Sequence, residues 1–330
     1  WLPEFLPERV HLLVSCLSGE VRDSLAVRGT WKEVAVQPLT LAEQRELLQT
    51  YLRHYNKTLE AAYEARVLSH PLASNPLFLR ILAEELRLFG RHDDLSDELD
   101  RYLSSLTVDD LFERVLERVE QDCGAKRVRT ALTAIWASRA GLAEEELLAY
   151  AGLVPATWAP IRLALDEALL ESGGRLTFAH DYMRLAVSDR YMAGNNELGD
   201  ENQSEQALAL RRKAHEKLAR WFATHAFPHR TKGEGQSAEG FTIDAARAAE
   251  EIPYQWHAAR NWQQLKKCLS ERKIFRAILE HRSDEELLRL WLDIEVYTKT
   301  KLERAYQAAW KQWKPDNMAP ESGDLADSLA

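Results

Sequence analysis

Trp158-Ala-Pro-Ile-Arg-Leu-Ala-Leu-Asp-Glu-Ala-Leu-Leu-Glu-Ser172, then Gly173-Gly174, then Arg-Leu176-Thr-Phe178-Ala-His180-Asp181, is the stretch on which the fold turns. Apolar residues at helical spacing predict one long helix over Trp158 to Ser172. The glycine pair ends it, Leu176 to Phe178 reads as a short strand, and a further helix starts at about Asp181. Upstream, Arg127 to Ser138 and Ala143 to Ala151 read as two more helices. Three helices followed by a small β element are the winged-helix arrangement, here assigned to residues 125–195.

Toward the amino end, residues 40–124 read as a compact helical group. Thr40-Leu-Ala-Glu43 is a capping box that opens a helix from Leu41 to about His54. A helix from Thr58 to His70 stops before Pro71, because a proline ring disfavours a helical residue ahead of it. Asn75-Pro76 pairs an N-cap with proline at the first helical position and opens Pro76 to Phe89. Helices over Ser96 to Leu106 and Val108 to Asp122 complete the group. Before it, Val10 to Val14 is a nearly continuous apolar run that suits a buried parallel strand, and Trp31 to Val36 reads as a second strand.

Toward the carboxyl end, residues 196–313 read as α-helical hairpin repeats, with helices from Glu205, Ile243, Trp262, Ile274 and Ser283 and a last one through Trp310. Ala193 to Ser204 reads as a polar linker, Phe227 to Thr242 as a long loop and residues 314–330 as a disordered tail. Trp256, Trp262, Trp291 and Trp310 fall in these helices, where aromatic residues pack hairpins together far more often than they bind ligands.

The composition narrows the function. With 43 Lys+Arg against 52 Asp+Glu, the formal charge is −9, which opposes non-specific binding to nucleic acid. Lys126 to Met192 carries eight basic and eight acidic residues, so its third helix is a poor duplex reader. The three cysteines have no metal or disulfide spacing, and no apolar run approaches the ~20 residues of a membrane span. The expected location is cytoplasmic. His215-Glu216 begins like a zinc-protease motif, but Ala219 stands where the second ligand belongs, so no metal site is assigned. No G-x-x-x-x-G-K-[ST] occurs, so the chain has no phosphate-cradling loop and no catalytic residue is assigned.

The order of these pieces resembles the carboxy-terminal part of a STAND-type P-loop NTPase, a NACHT-like, AAA+-like signalling ATPase similar to nephrocystin-3-like and telomerase-associated-protein-like members. Trp1-Leu-Pro-Glu-Phe-Leu-Pro and Val10-His-Leu-Leu-Val-Ser15 look like the run into the sensor strand, and Val34-Ala-Val-Gln-Pro-Leu39 like the last core strand. Residues 1–39 would thus be a remnant of a P-loop α/β core. Ser74-Asn-Pro-Leu-Phe-Leu79 is similar to the lid motif, with Ser74 in place of the usual glycine. Phe178-Ala-His180-Asp-Tyr-Met-Arg184 resembles the winged-helix F-x-H segment, and Glu250-Glu-Ile-Pro-Tyr254 followed by Trp262 resembles the first hairpins of a TPR-like arm.

The resemblance implies a mainly α chain holding the lid, winged helix and start of the sensor arm of an ATPase that switches between ADP-closed and ATP-open, oligomerising states. It implies ATP/ADP as cofactor, with Mg in the full-length protein but no Mg ligand in this chain. It also implies protein partners through the arm and a homo-oligomer on activation. Pro76 would contact the adenine, with Asn75 before it also counted as cofactor-binding, His180 would donate to the β-phosphate of ADP, and Ser15 would sense the γ-phosphate side. Each has a plainer reading: a helix cap for Asn75 and Pro76, a local cap or wing packing for His180, a backbone-bonded hydroxyl for Ser15. A STAND-type transcriptional regulator and a purely helical interaction scaffold remain as alternatives.

Overall fold

The computed structural model describes residues 7–16, 19–27, 32–89, 95–193, 200–226 and 242–313. Among them are sixteen α-helices and a single two-stranded sheet. The chain is mainly α, and its buried side chains join into one continuous apolar cluster.

Helices α1 (Glu20–Val27), α2 (Leu41–His54), α3 (Ala61–Leu68), α4 (Pro76–Leu88), α5 (Leu95–Leu103) and α6 (Val108–Cys123) come first. The capping box at α2 forms as expected: the Thr40 hydroxyl accepts from the Glu43 amide and the Glu43 carboxylate accepts from the Thr40 amide at 2.7 Å. Helix α4 is the centre of this group, burying Phe78, Leu79, Ile81, Leu82, Ala83 and Leu86. It also buries two carboxylates, each satisfied by neighbours. Glu84 accepts from the Tyr51 hydroxyl at 2.6 Å and pairs with Arg87, while Glu85 accepts from Tyr102 and Arg118.

Among the described residues neither of the two expected strands near the amino end forms, and Trp31 of the second lies outside them. Residues 10–16 and 32–36 form no regular element and pair with no strand, and Val10, Leu12, Leu13, Val34 and Val36 are exposed. A parallel strand exists only when neighbouring strands take its amide and carbonyl groups, and no described residue supplies such a neighbour. Among the described residues of 1–39 no sheet forms, and Ser15 is an exposed residue of unpaired chain rather than the end of a buried strand. Helix α1, not expected from the sequence, buries none of its residues; its Arg22 pairs with Glu33 at 3.1 Å.

Next come α7 (Ala125–Ala137), α8 (Glu144–Ala151), α9 (Pro155–Ala164), β1 (Leu169–Ser172), β2 (Arg175–Phe178) and α10 (Asp181–Met192). The long helix expected over Trp158 to Ser172 ends at Ala164, and its last four residues form β1, antiparallel to β2 from Leu169↔Phe178 to Ser172↔Arg175. Gly173 and Gly174, both at positive φ (58° and 74°), make the two-residue turn that joins antiparallel strands, so the residues before it must be extended. Helical periodicity misled because Leu165, Ala168 and Leu169 are all buried. Leu142 adds an isolated bridge to Leu176.

Gly141 makes that bridge possible. Its φ is +84°, and a Cβ there would sit 2.6 Å from the carbonyl oxygen of Leu176. Gly141→Ala is expected to cost about 2–3 kcal/mol in urea unfolding, whereas Gly174→Ala, with open space around it, should cost only the ~1 kcal/mol of the left-handed backbone. Equal costs would show that the close approach to Leu176 is unimportant.

The remaining helices are α11 (Asp200–Ala226), α12 (Ala245–Ala258), α13 (Trp262–Leu269), α14 (Arg272–His281), α15 (Asp284–Thr298) and α16 (Leu302–Gln312). Short turns connect α12 to α16, with Asn261 and Ser283 as caps and Arg260 and Lys299 in left-handed conformation. Helix α12 packs on α11 and α14, and α13 on α15, which is the stacking of helical repeats. Trp256 and Trp291 are buried as expected, the Trp291 indole donating to the Tyr306 hydroxyl at 3.0 Å. Trp262 stacks on Tyr297, but Trp310 is exposed. Helix α11 begins at Asp200, inside the segment expected to be a linker. Most of the expected loop, residues 227–241, and the expected tail lie outside the described residues. No single helix among the described residues is long and apolar enough to cross a membrane.

Candidate functional site

Two helix starts carry the expected ligand-facing residues. At the first, the Asn75 side chain accepts from the amides of Leu77 at 2.9 Å and Phe78 at 3.4 Å. Two of the orphan amides of α4 are thus satisfied internally, and Pro76 contributes none, so this end offers an exposed apolar ring rather than an anion cradle. The Leu39 amide donates to the Ser74 carbonyl and Gln44 Nε2 to the Leu39 carbonyl, both at 2.9 Å, fastening the chain before α2 to this corner. At the second, His180 is the N-cap residue of α10, exposed and without a side-chain cap bond.

One run of contacts links the two. Arg80 lies one turn after Pro76 on the same side of α4 and pairs with Glu167 at 2.5 Å. Next to Glu167, the Ala168 carbonyl accepts from the Ala179 amide at 3.0 Å, and His180 follows directly. Both helices pack on α6. Ser15 takes no part: it is exposed, and no hydrogen bond among the described residues ties it to either helix start.

The densest polar construction lies elsewhere, where α12 meets the module of α7 to α10. Arg247, only 5% exposed at its side chain, donates from Nε to Glu146 at 2.8 Å, from Nη1 to Glu250 and Glu251 at 2.8 and 2.9 Å, and from Nη2 to the Gly141 carbonyl at 2.7 Å. Glu251, fully buried, also accepts from the Arg139 amide at 3.0 Å and from Gln255 Nε2 at 2.7 Å. Gln255 extends the net to the Ala137 carbonyl and to His215 of α11. Glu250 further pairs with Arg175 of β2 at 2.7 Å, and Arg139 with Glu286 of α15.

Electrostatics follow from this packing. Burial alone would lower the Arg247 pKa, but the hydrogen bond to Glu146 and the charges of Glu251 and Glu146 raise it. Burial pushes Glu251 up, opposed by Arg247, Gln255 and the Arg139 amide. For Glu250 burial is again the largest influence and acts upward, yet the Arg247 bond and the Arg175 charge hold the carboxyl below its usual range. Burial lowers His215, so the histidine that opened an incomplete zinc motif is a neutral joint residue. The boundary expected between residues 125–195 and 196–313 is thus crossed by a buried ionic net.

Sequence reasoning missed this net. Its one signal is Arg247, Glu251 and Gln255 at i, i+4, i+8 on the same helix as Ala248, Ala249, Ile252 and Trp256, which places charge against an apolar face. Glu146, one of three carboxylates in the first turn of α8, accepts from the Ala143 amide at 2.9 Å, but its pairing with Arg247 required knowing where α12 lands.

Neither a protein-family model nor a solved structure matches the chain. Among curated proteins, a TPR repeat-containing protein of Dictyostelium discoideum is 26% identical over 91% of this chain and 17% of its own length. Telomerase protein component 1 of Rattus norvegicus is 26% identical over 92% of the chain and 12% of its own length. NACHT domain- and WD repeat-containing protein 1 of Homo sapiens is 31% identical over 44% of the chain and 9% of its own length. The chain thus spans less than a fifth of each of these relatives.

Proposed function

We propose that this chain is the regulatory portion of a signalling ATPase: helical lid (40–124), winged helix (125–195) and the first hairpins of a helical sensor arm (196–313), which keep ADP enclosed until the arm is engaged. The carrying observation is the run Pro76, Arg80–Glu167, Ala168–Ala179, His180, which supports a shared nucleotide-facing corner between two modules. The chemistry of that corner fits ADP in two parts. Pro76 offers an apolar face for a base, and the His180 imidazole, not spent on capping, can donate to a phosphate oxygen. The phosphate loop and Mg ligands would belong to residues outside this chain. The net around Arg247 would transmit arm movement to the winged helix. The likeness to proteins named for NACHT, WD and TPR modules supports a signalling role through protein partners.

The test is photolabelling of a longer protein that includes a phosphate loop, using an azido-adenine diphosphate. Label is expected on the peptide around Asn75-Pro76, and bound ADP should protect it. Label on neither that peptide nor the one around His180 would favour the second reading, a helical interaction scaffold, for which the stacked hairpins of α12 to α16 alone would suffice.

A further inference from the structure

We propose that helix α15 is a self-pairing surface, which packs antiparallel against α15 of a second copy of this chain. The helix is apolar on two sides. Leu287, Trp291 and Ile294 face the core, while Leu288, Leu292 and Val296 form a second stripe at i, i+4, i+8 that is 54%, 65% and 71% exposed. An apolar stripe of this kind on a surface helix is the signature of a helix that packs on another helix.

The charges beside the stripe select the occupant. A two-fold axis through Leu292 sets Leu288 against the second copy's Val296, and Leu292 against its own counterpart. The same axis sets Glu285 against Lys299 and Arg289 against Glu295, with each pair occurring twice. Glu285, Arg289 and Lys299 are exposed and have no ion-pair partner among the described residues, although Glu295 already receives Lys301 at 2.6 Å. A parallel, in-register pairing would instead oppose Glu285 to itself, Arg289 to itself and Lys299 to itself, which is repulsive. The pattern is therefore self-complementary in one orientation only, as an isologous interface requires. One helix face buries less than the ~1,200 Å² of a stable interface, so the dimer is expected to be weak, with Kd on the order of 10–100 μM.

Sedimentation equilibrium of the 330-residue chain tests this. A monomer–dimer equilibrium is expected, weakened at least tenfold by Leu292→Glu, which sets two carboxylates face to face on the axis. This exposed position leaves the monomer fold intact, which circular dichroism checks. Glu285→Lys should also weaken the dimer, and adding Lys299→Glu should restore it, because the reversed charges face each other again. A monomer at every concentration would overturn the proposal, including the case in which the stripe serves a helix of another protein. So would a dimer indifferent to Leu292→Glu, or a charge swap that does not recover pairing.

Discussion

Arg247→Met is expected to destabilise the chain by about 3–5 kcal/mol, the cost of removing one partner from a buried ionic net. Glu146, Glu250 and Glu251 would remain where they are, and Glu251 has no route to water. Against a total stability of roughly 5–15 kcal/mol, that loss should separate the unfolding of α11 to α16 from that of the preceding helices. Acid should relieve it. Carboxylates stripped of their cation are pushed up by burial relative to the unfolded chain, so the penalty is present in full above their folded pKa and fades as pH falls toward about 4.5. Adding Glu251→Gln to Arg247→Met should recover part of the loss at neutral pH, because one buried charge is gone while a hydrogen-bonding side chain remains. Urea unfolding of the three proteins at pH 7 and pH 5 measures all of this. An Arg247→Met protein within ~0.5 kcal/mol of wild type would mean that water reaches the joint.

The second large effect is functional and rests on the proposed ADP-closed state. In a longer protein with its phosphate loop, His180→Ala should release ADP roughly ten- to a hundredfold faster, equivalent to losing a charge-assisted hydrogen bond of about 1.5–3 kcal/mol. Because His180 is exposed and makes no cap bond, its loss should leave the melting temperature of the nucleotide-free protein unchanged. Basal signalling should rise, since the open state gains population. Ser15→Ala serves as the control, as Ser15 lies outside the Pro76–His180 corner, and its ADP off-rate should match wild type. An unaltered off-rate in His180→Ala would make His180 a plain helix-start residue and leave the corner without its phosphate partner.

Local signals were legible wherever one residue and its near neighbours decide the backbone. Thr40 with Glu43 and Asn75 with Pro76 fixed the starts of α2 and α4, because a cap is settled within one helical turn. The start of α10 after the hairpin was equally readable. β1 was not, since Leu165, Ala168 and Leu169 satisfy helical and buried-strand spacing alike and only the pairing with β2 chooses between them. The expected strands over Val10 to Val14 and Trp31 to Val36 failed, among the described residues, for the complementary reason: their apolar pattern suits a strand, but a strand requires partners.

By itself the sequence determined a mainly helical chain, the order of its helix groups, and the two helix starts at Asn75-Pro76 and His180. These follow from side chains acting on their own backbone. Only the tertiary structure decided that Arg80 of α4 pairs with Glu167 ahead of the hairpin, that Arg247 holds three carboxylates and the Gly141 carbonyl across the joint, and that α15 keeps an apolar stripe uncovered. Each of those facts depends on residues a hundred or so positions apart meeting, or failing to meet, and no local preference carries that information.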